Sequence, residues 1–153
     1  MQGDYAALMS KPRRSDSSAL PELLGKVGLF AGLPKRKLQQ IADMCREHTF
    51  APGESIVTEG DLTGRFYLIV EGGAAVHVRG HEVATLGPGQ YFGEFAVLDQ
   101  APRSATVTAT TPVRAYSLAS ITLRPLLKEE PEITYRLLLN ACERLRALER
   151  SLG

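Results

Sequence analysis

The spacing of apolar residues divides the chain into three regimes. From Leu20 it is helical, with Leu23, Leu24, Val27 and the pair Leu29-Phe30 on one face, Pro21 in a first-turn position and Gly32 as the interruption. A second helical run carries Pro34 in its first turn and spaces Leu38, Ile41, Ala42 and Cys45 alike. Two short helices packed against a sheet are the expectation, with Phe30 as a core contact rather than a lid. From His48 to Leu118 the pattern changes to short runs broken by glycine and proline. Strands are expected at 48–51, 54–58, 65–70, 74–79, 81–86, 91–92, 104–110 and 113–118. Val76 and Val78 alternate with His77 and Arg79 as a half-buried strand requires, and Gly80 marks a hairpin turn. After Leu118 the period is helical again. Pro125 is best tolerated in a first turn, which predicts an N-cap near Thr122 rather than Ser120. Pro131 breaks the run, and 132–148 forms the longest helix. Its apolar stripe is Ile133, Leu137, Ala141, Leu145 and Leu148, with Glu132 and Arg136 paired on the exposed side.

Many short strands without long intervening helices argue for a closed or double-sheet β architecture. The length of 153 residues suits one domain. The expected division is a flexible tail at 1–18 and one domain at 19–153: N-terminal helices at 19–47, sheet at 48–118 and C-terminal helices at 120–150. The tail carries Lys11-Pro12-Arg13-Arg14-Ser15, and a solvated segment is favoured there over a kinase site or an anionic dock.

Charge narrows the partners. Eighteen Lys and Arg against 17 Asp and Glu leave a net charge of +1, which makes no case for nucleic acid as the main partner. No apolar run approaches the ~20 residues of a membrane span, and the first residues lack a signal-peptide core. The two cysteines, Cys45 and Cys142, are expected to be reduced thiols of a cytoplasmic protein. His48, His77 and His81 contain no His-x-His element, so no metal is expected, although His77 and His81 could meet across a hairpin.

The chemistry concentrates in 87–106, GPGQYFGEFAVLDQAPRSAT. Gly93 precedes the apolar run Phe95, Ala96, Val97, Leu98, which predicts a strand end turning into a very short helix. Free backbone N–H groups at such a start attract an anion. Arg103 returns after a short loop and offers a bidentate clamp for a phosphate. Glu94 would repel that phosphate unless it holds something else, and a sugar hydroxyl is the natural partner. Gly93, Ala96 and Ala105 are small enough to let the main chain approach. The set describes a pocket for a phosphorylated ribose.

Phe92-Gly93-Glu94-Phe95-Ala96 followed by Pro102-Arg103-Ser104-Ala105 closely resembles the phosphate-binding cassette of the cyclic nucleotide-binding domain family, in its Crp/Fnr-like form. Pro52-Gly53-Glu54, Gly60-Asp61, the strand closed by Glu71-Gly72, and Gly87-Pro88-Gly89 follow in the family's order, so that the resemblance spans about 24–148. It implies a mainly β fold, an eight-stranded double-stranded β-helix or jelly-roll (β-roll) with two N-terminal helices, a cassette helix at 93–98 and C-terminal helices. It implies a ligand, cAMP favoured and cGMP the alternative that Ser104 raises, bound by Phe92, Gly93, Glu94, Phe95, Ala96, Arg103, Ser104 and Ala105. Glu94 would take the ribose 2′-hydroxyl, and in the empty pocket Glu94 and Arg103 would partly neutralise one another. A lid would come from the C-terminal helix, through Leu137 or Leu145.

Transcriptional relatives carry a helix-turn-helix after this helix, and no such DNA-binding domain is expected here, nor a nucleophile–base pair or metal cluster of an enzyme. The expected function is a regulatory module in which ligand capture moves the C-terminal helix, whose stripe would meet a protein partner or a second copy. The competing classes are a ligand-independent interaction domain and an enzyme.

Overall fold

A computed structural model of the chain describes residues 19–152; the expected tail at 1–18 and its basic stretch lie outside them. Helices α1 (Leu20–Lys26) and α2 (Lys35–Met44) come first. Eight strands follow: β1 (Arg46–Phe50), β2 (Ser55–Val57), β3 (Arg65–Glu71), β4 (Ala74–Val78), β5 (His81–Leu86), β6 (Tyr91–Phe92), β7 (Thr106–Ala109) and β8 (Val113–Ala119). Helix α3 (Glu94–Asp99) lies between β6 and β7, and α4 (Ser120–Glu129) and α5 (Pro131–Leu152) close the chain. The strands form two four-stranded antiparallel sheets, ordered β1-β8-β3-β6 and β2-β7-β4-β5. The fold is the expected one, mainly β with flanking helices.

The first sheet is covered on both faces, and strand periodicity shows how. Phe66 and Leu68 of β3, with Tyr116 and Leu118 of β8, pack among the helices beside Phe30, Ile41, Leu123, Leu127 and Ile133. The alternate residues Tyr67, Ile69, Val113 and Ala115 meet Ile56, Phe92 and Val107 between the sheets. Two covered faces explain why 66–69 reads as an unbroken apolar run. Phe30 is 1% exposed, a core contact.

Several details differ from expectation, among them Pro34, which is the N-cap of α2 rather than a residue of its first turn. Helix α4 begins at Ser120 with Ala119 as its N-cap, so Pro125 lies inside the helix rather than in its first turn. The N–H that proline lacks would have served the carbonyl of Ile121, a residue 82% exposed and so open to solvent. Leu123, Leu126 and Leu127 are buried and fix the helix in place. Cys45 is the extended residue that ends α2, and burial pushes its thiol up to about 12. In α5 only Ile133 and Leu137 of the stripe are buried, while Leu145 and Leu148 are exposed. The expected Glu132–Arg136 pair is present at 3.6 Å. The start of α5 is pinned by Thr134 Oγ1 donating to the Leu127 carbonyl (2.6 Å) and Arg136 donating to the carbonyls of Leu29 (3.1 Å) and Ala31 (2.6 Å).

Among the described residues no helix is long and apolar enough to cross a membrane.

Candidate functional site

Strand β6 pairs with β3, Phe92 opposite Tyr67 and Tyr91 opposite Leu68, and then turns sharply at Gly93. Gly93 has φ 93°, and a Cβ there would strike the Arg65 carbonyl and approach Arg103 Nη1 to 2.6 Å. Only glycine meets both demands. The turn starts α3, which ends at Gln100 in a left-handed conformation. The loop after it carries Arg103, whose backbone is fixed on both sides: its N–H donates to the Asp61 carbonyl (2.7 Å), and its carbonyl accepts from Gly60 (2.9 Å).

The Arg103 side chain is 5% exposed. Nη2 donates to the Arg65 carbonyl at 2.7 Å and Nη1 to the Gly93 carbonyl at 3.5 Å. Burial pulls its pKa below the usual arginine value, opposed by Tyr67, Asp61 and Glu94. Glu94 is likewise 5% exposed. Its Oε1 accepts from Arg144 Nη1 of α5 at 3.0 Å. Burial raises the Glu94 carboxyl above the ordinary range, opposed by Arg144 and, more weakly, by Arg103. Glu94 and Arg103 thus favour one another's charged form, as expected, but their hydrogen-bond partners are others: Arg144 holds the carboxylate, and main-chain carbonyls hold Arg103. The guanidinium of Arg144 also lies 5.7 Å from the Tyr91 ring centroid and 5.9 Å from that of Phe95.

These groups line a cleft of about 520 Å³, within the usual range for small-molecule sites. The eight residues expected in the site, Phe92, Gly93, Glu94, Phe95, Ala96, Arg103, Ser104 and Ala105, all border it. Its opposite wall is apolar: Val76 and Val78 of β4, Val83, Ala84 and Leu86 of β5, with Val57 and Val107 beneath. That wall and Arg144 escaped sequence reasoning. The alternation of Val76 and Val78 was the available signal for the wall. Arg144 stands 50 positions from Glu94 and has no local signature.

Neither lid candidate borders the cleft. Leu137 is 6% exposed within the helical core, and Leu145 is 58% exposed on the solvent side of α5. The histidines do not gather either, because the β4–β5 register places His77 opposite Glu82 and His81 opposite Val78. Among the described residues no three His, Cys, Asp or Glu side chains are placed to hold a metal ion.

Two buried side-chain atoms among the described residues lack a hydrogen-bond partner, Glu94 Oε2 and Arg103 Nε. Each unsatisfied buried polar atom carries a cost of about 1–3 kcal/mol, more when charged, and calls for an explanation. Both belong to the cleft, one an acceptor and one a donor. A ligand carrying a hydroxyl beside an anionic oxygen would complement them.

Comparison with known proteins agrees. A family model described as "Cyclic nucleotide-binding domain" matches residues 47–130. A "CRP-like cAMP-activated global transcriptional regulator" of Mycobacterium tuberculosis is 30% identical over 139 residues, 88% of this chain and 62% of the regulator. A "cAMP-dependent protein kinase regulatory subunit" of Yarrowia lipolytica is 39% identical over 100 residues, 65% of this chain and 26% of that protein. The co-crystal structure of the regulatory domain of Toxoplasma gondii PKA with cAMP superposes with a TM-score of 0.75 at 28% identity, over 84% of this chain and 51% of that one. The chain spans less than two thirds of each of these proteins. The matched segment carries both sheets almost entire and every cleft residue except Arg144. With the cassette, the two-sheet fold and the matching segment in agreement, this chain belongs to the cyclic nucleotide-binding domain family.

Proposed function

We propose that the cleft captures cAMP and that the protein acts as a regulatory binding module rather than an enzyme. Arg103 takes the cyclic phosphate. Its guanidinium is already desolvated and aimed by the carbonyls of Arg65 and Gly93, so little rearrangement is needed for it to exchange one of them for a phosphate oxygen. Glu94 accepts from the ribose 2′-hydroxyl. The purine lies along the valine wall of β4 and β5, with Ser104 available at the cleft edge. The observation that carries this reading is the pair of unpartnered atoms, Glu94 Oε2 and Arg103 Nε, at one site.

Capture would be reported through α5, because Arg144 joins that helix to Glu94. A ligand shifts a helix only through differential affinity for its two positions, so α5 needs a second resting place. Its exposed Leu138, Leu145, Leu148 and Leu152 would supply that place against a protein partner or a second copy of the chain, in the cytoplasm.

The test is calorimetric titration with cAMP and cGMP. Saturable one-to-one binding of cAMP, weakened about tenfold or more in Arg103→Ala, is expected, since a hydrogen bond to a charged group contributes ~1.5–3 kcal/mol. Tighter binding of cGMP would reassign the base preference to Ser104. Silence with both nucleotides, from folded protein free of carried-over ligand, would make the domain a ligand-independent interaction module.

A further inference from the structure

We infer that the protein has a second ligand site, a pocket beside the cleft that takes a small organic dianion. The inference goes beyond the cyclic nucleotide reading and stands without it, because the pocket shares only Tyr91 and Arg144 with the cleft.

The pocket holds about 300 Å³, at the lower end of the range for small-molecule sites. Three elements enclose it: the turn at 27–29 after α1, the turn at 89–90 before β6, and one face of α5. Arg136, Asn140 and Arg144 follow at intervals of four, which puts them on a single face of that helix. The two arginines stand about 12 Å apart along the helix axis. Two separated guanidiniums suit a ligand with an anionic group at each end better than one compact ion. Among the described residues no Asp or Glu lines the pocket, and Glu132 and Glu94 pair with the arginines from outside it.

The polar side chains keep capacity in reserve. Arg136 commits Nη1 to the carbonyls of Leu29 and Ala31 and Nε to Glu132, leaving Nη2 to donate. Arg144 commits Nη1 to Glu94 and likewise keeps Nη2. Gln90 accepts from the Gly87 N–H through Oε1 at 2.7 Å, so its Nε2 remains a donor. Asn140 donates from Nδ2 to the Tyr91 hydroxyl, so its Oδ1 remains an acceptor. Each side chain is anchored by one atom and offers another. Such anchoring lowers the ordering cost of binding. Val27, Leu29 and the Tyr91 ring supply an apolar wall for a short carbon chain between the anionic ends.

Gly28 keeps the pocket open. A Cβ there would meet no atom within 4 Å, and its φ lies outside the left-handed region, so neither packing nor backbone demands glycine. A larger side chain at this position would fill the ligand's space.

The experiment titrates the full chain with succinate, glutarate and adipate, and with acetate as the monoanionic comparison, by calorimetry at matched ionic strength. At least one dicarboxylate is expected to bind one-to-one with a Kd below about 1 mM, about tenfold or more tighter than acetate. Gly28→Leu is expected to weaken it about tenfold or more. The same variant should leave cAMP affinity unchanged, since Gly28 does not border the cleft. Arg136→Gln should weaken the dicarboxylate by a similar factor, and thermal melting checks that both variants fold. Arg103→Ala should leave it unchanged. No dicarboxylate binding tighter than about 1 mM, equal binding of acetate, or binding that survives either folded variant overturns the inference. Loss of binding in Arg103→Ala would place the anion in the cleft and overturn it as well. Failure to bind cAMP would overturn the nucleotide reading and leave this site standing.

Discussion

Glu94 and Arg103 are both 5% exposed and border one cleft, yet each is held by a different partner, Glu94 by Arg144 of α5 and Arg103 by the carbonyl of Arg65 on β3. The acid is tied to the C-terminal helix and the base to the first sheet. A ligand touching both would bridge the C-terminal helix and the first sheet.

Holding Glu94 ready has a stability consequence. Its folded pKa is raised above the ordinary carboxylate value, chiefly by burial. Between the unfolded and the folded pKa the native state binds more protons, so stability declines as pH rises through that window and stays reduced above it. Glu94→Gln is therefore expected to raise Tm at pH 7 and to raise it less at pH 4, while weakening cAMP about tenfold or more. A lower Tm at pH 7 would mean that the bridge to Arg144 outweighs desolvation.

Val83 reports on the apolar wall. It is 59% exposed and borders the cleft. Val83→Ala should leave Tm unchanged and weaken cAMP about fivefold, the loss of ~1 kcal/mol for the apolar surface a bound purine would cover. Unaltered affinity would move the base to another part of the cleft.

Leu137 and Leu145 should separate cleanly. Leu137→Ala opens a cavity among the helices and is expected to cost about 2–5 kcal/mol by denaturant unfolding. Leu145→Ala should change stability by less than about 0.5 kcal/mol, as exposed substitutions do. It should also leave cAMP affinity unchanged, because Arg144 and not Leu145 borders the cleft. Weakened affinity in Leu145→Ala would show that α5 folds over the base.

The two thiols should react at very different rates. Burial pushes Cys45 up to about 12, whereas Cys142 is exposed. At pH 8 only about one Cys45 in ten thousand is thiolate. Mass spectrometry after brief alkylation should find the label on Cys142 alone in the native protein and on both after denaturation. Rapid labelling of Cys45 would show that the junction of α2 and β1 opens readily.

The sequence was informative where the physics is local. Gly93-Glu94 and Arg103 lie close together along the chain, and their spacing was enough to bring an acid, a base and a tight turn into one expected site. The eight strands were visible because turns and alternation are written in neighbouring residues. Arg144 could not be found that way: its meeting with Glu94 depends on how α5 leaves α4, a matter of packing among Leu127, Ile133 and the carbonyls that hold Arg136. The valine wall was half legible, since the sequence of β4 alternates Val76 and Val78 with His77 while β5 is exposed along almost its whole length. The start of α4 was misplaced because propensity argued from Pro125 alone, and the burial of three leucines overrode it.

The resting partner of Arg103 is a main-chain oxygen, and that makes it indifferent to inheritance. Every amino acid at position 65 supplies the same carbonyl. The side chain there is free for separate work, as Arg65 Nη1 donates to Ser117 Oγ at 2.7 Å, and Ser117 Oγ in turn meets His48 Nε2 at 2.7 Å. A saturation scan of position 65 would thus read out the Ser117–His48 contact and leave the arginine's berth untouched. A slip of β3 against β6 and β8 would take that berth away.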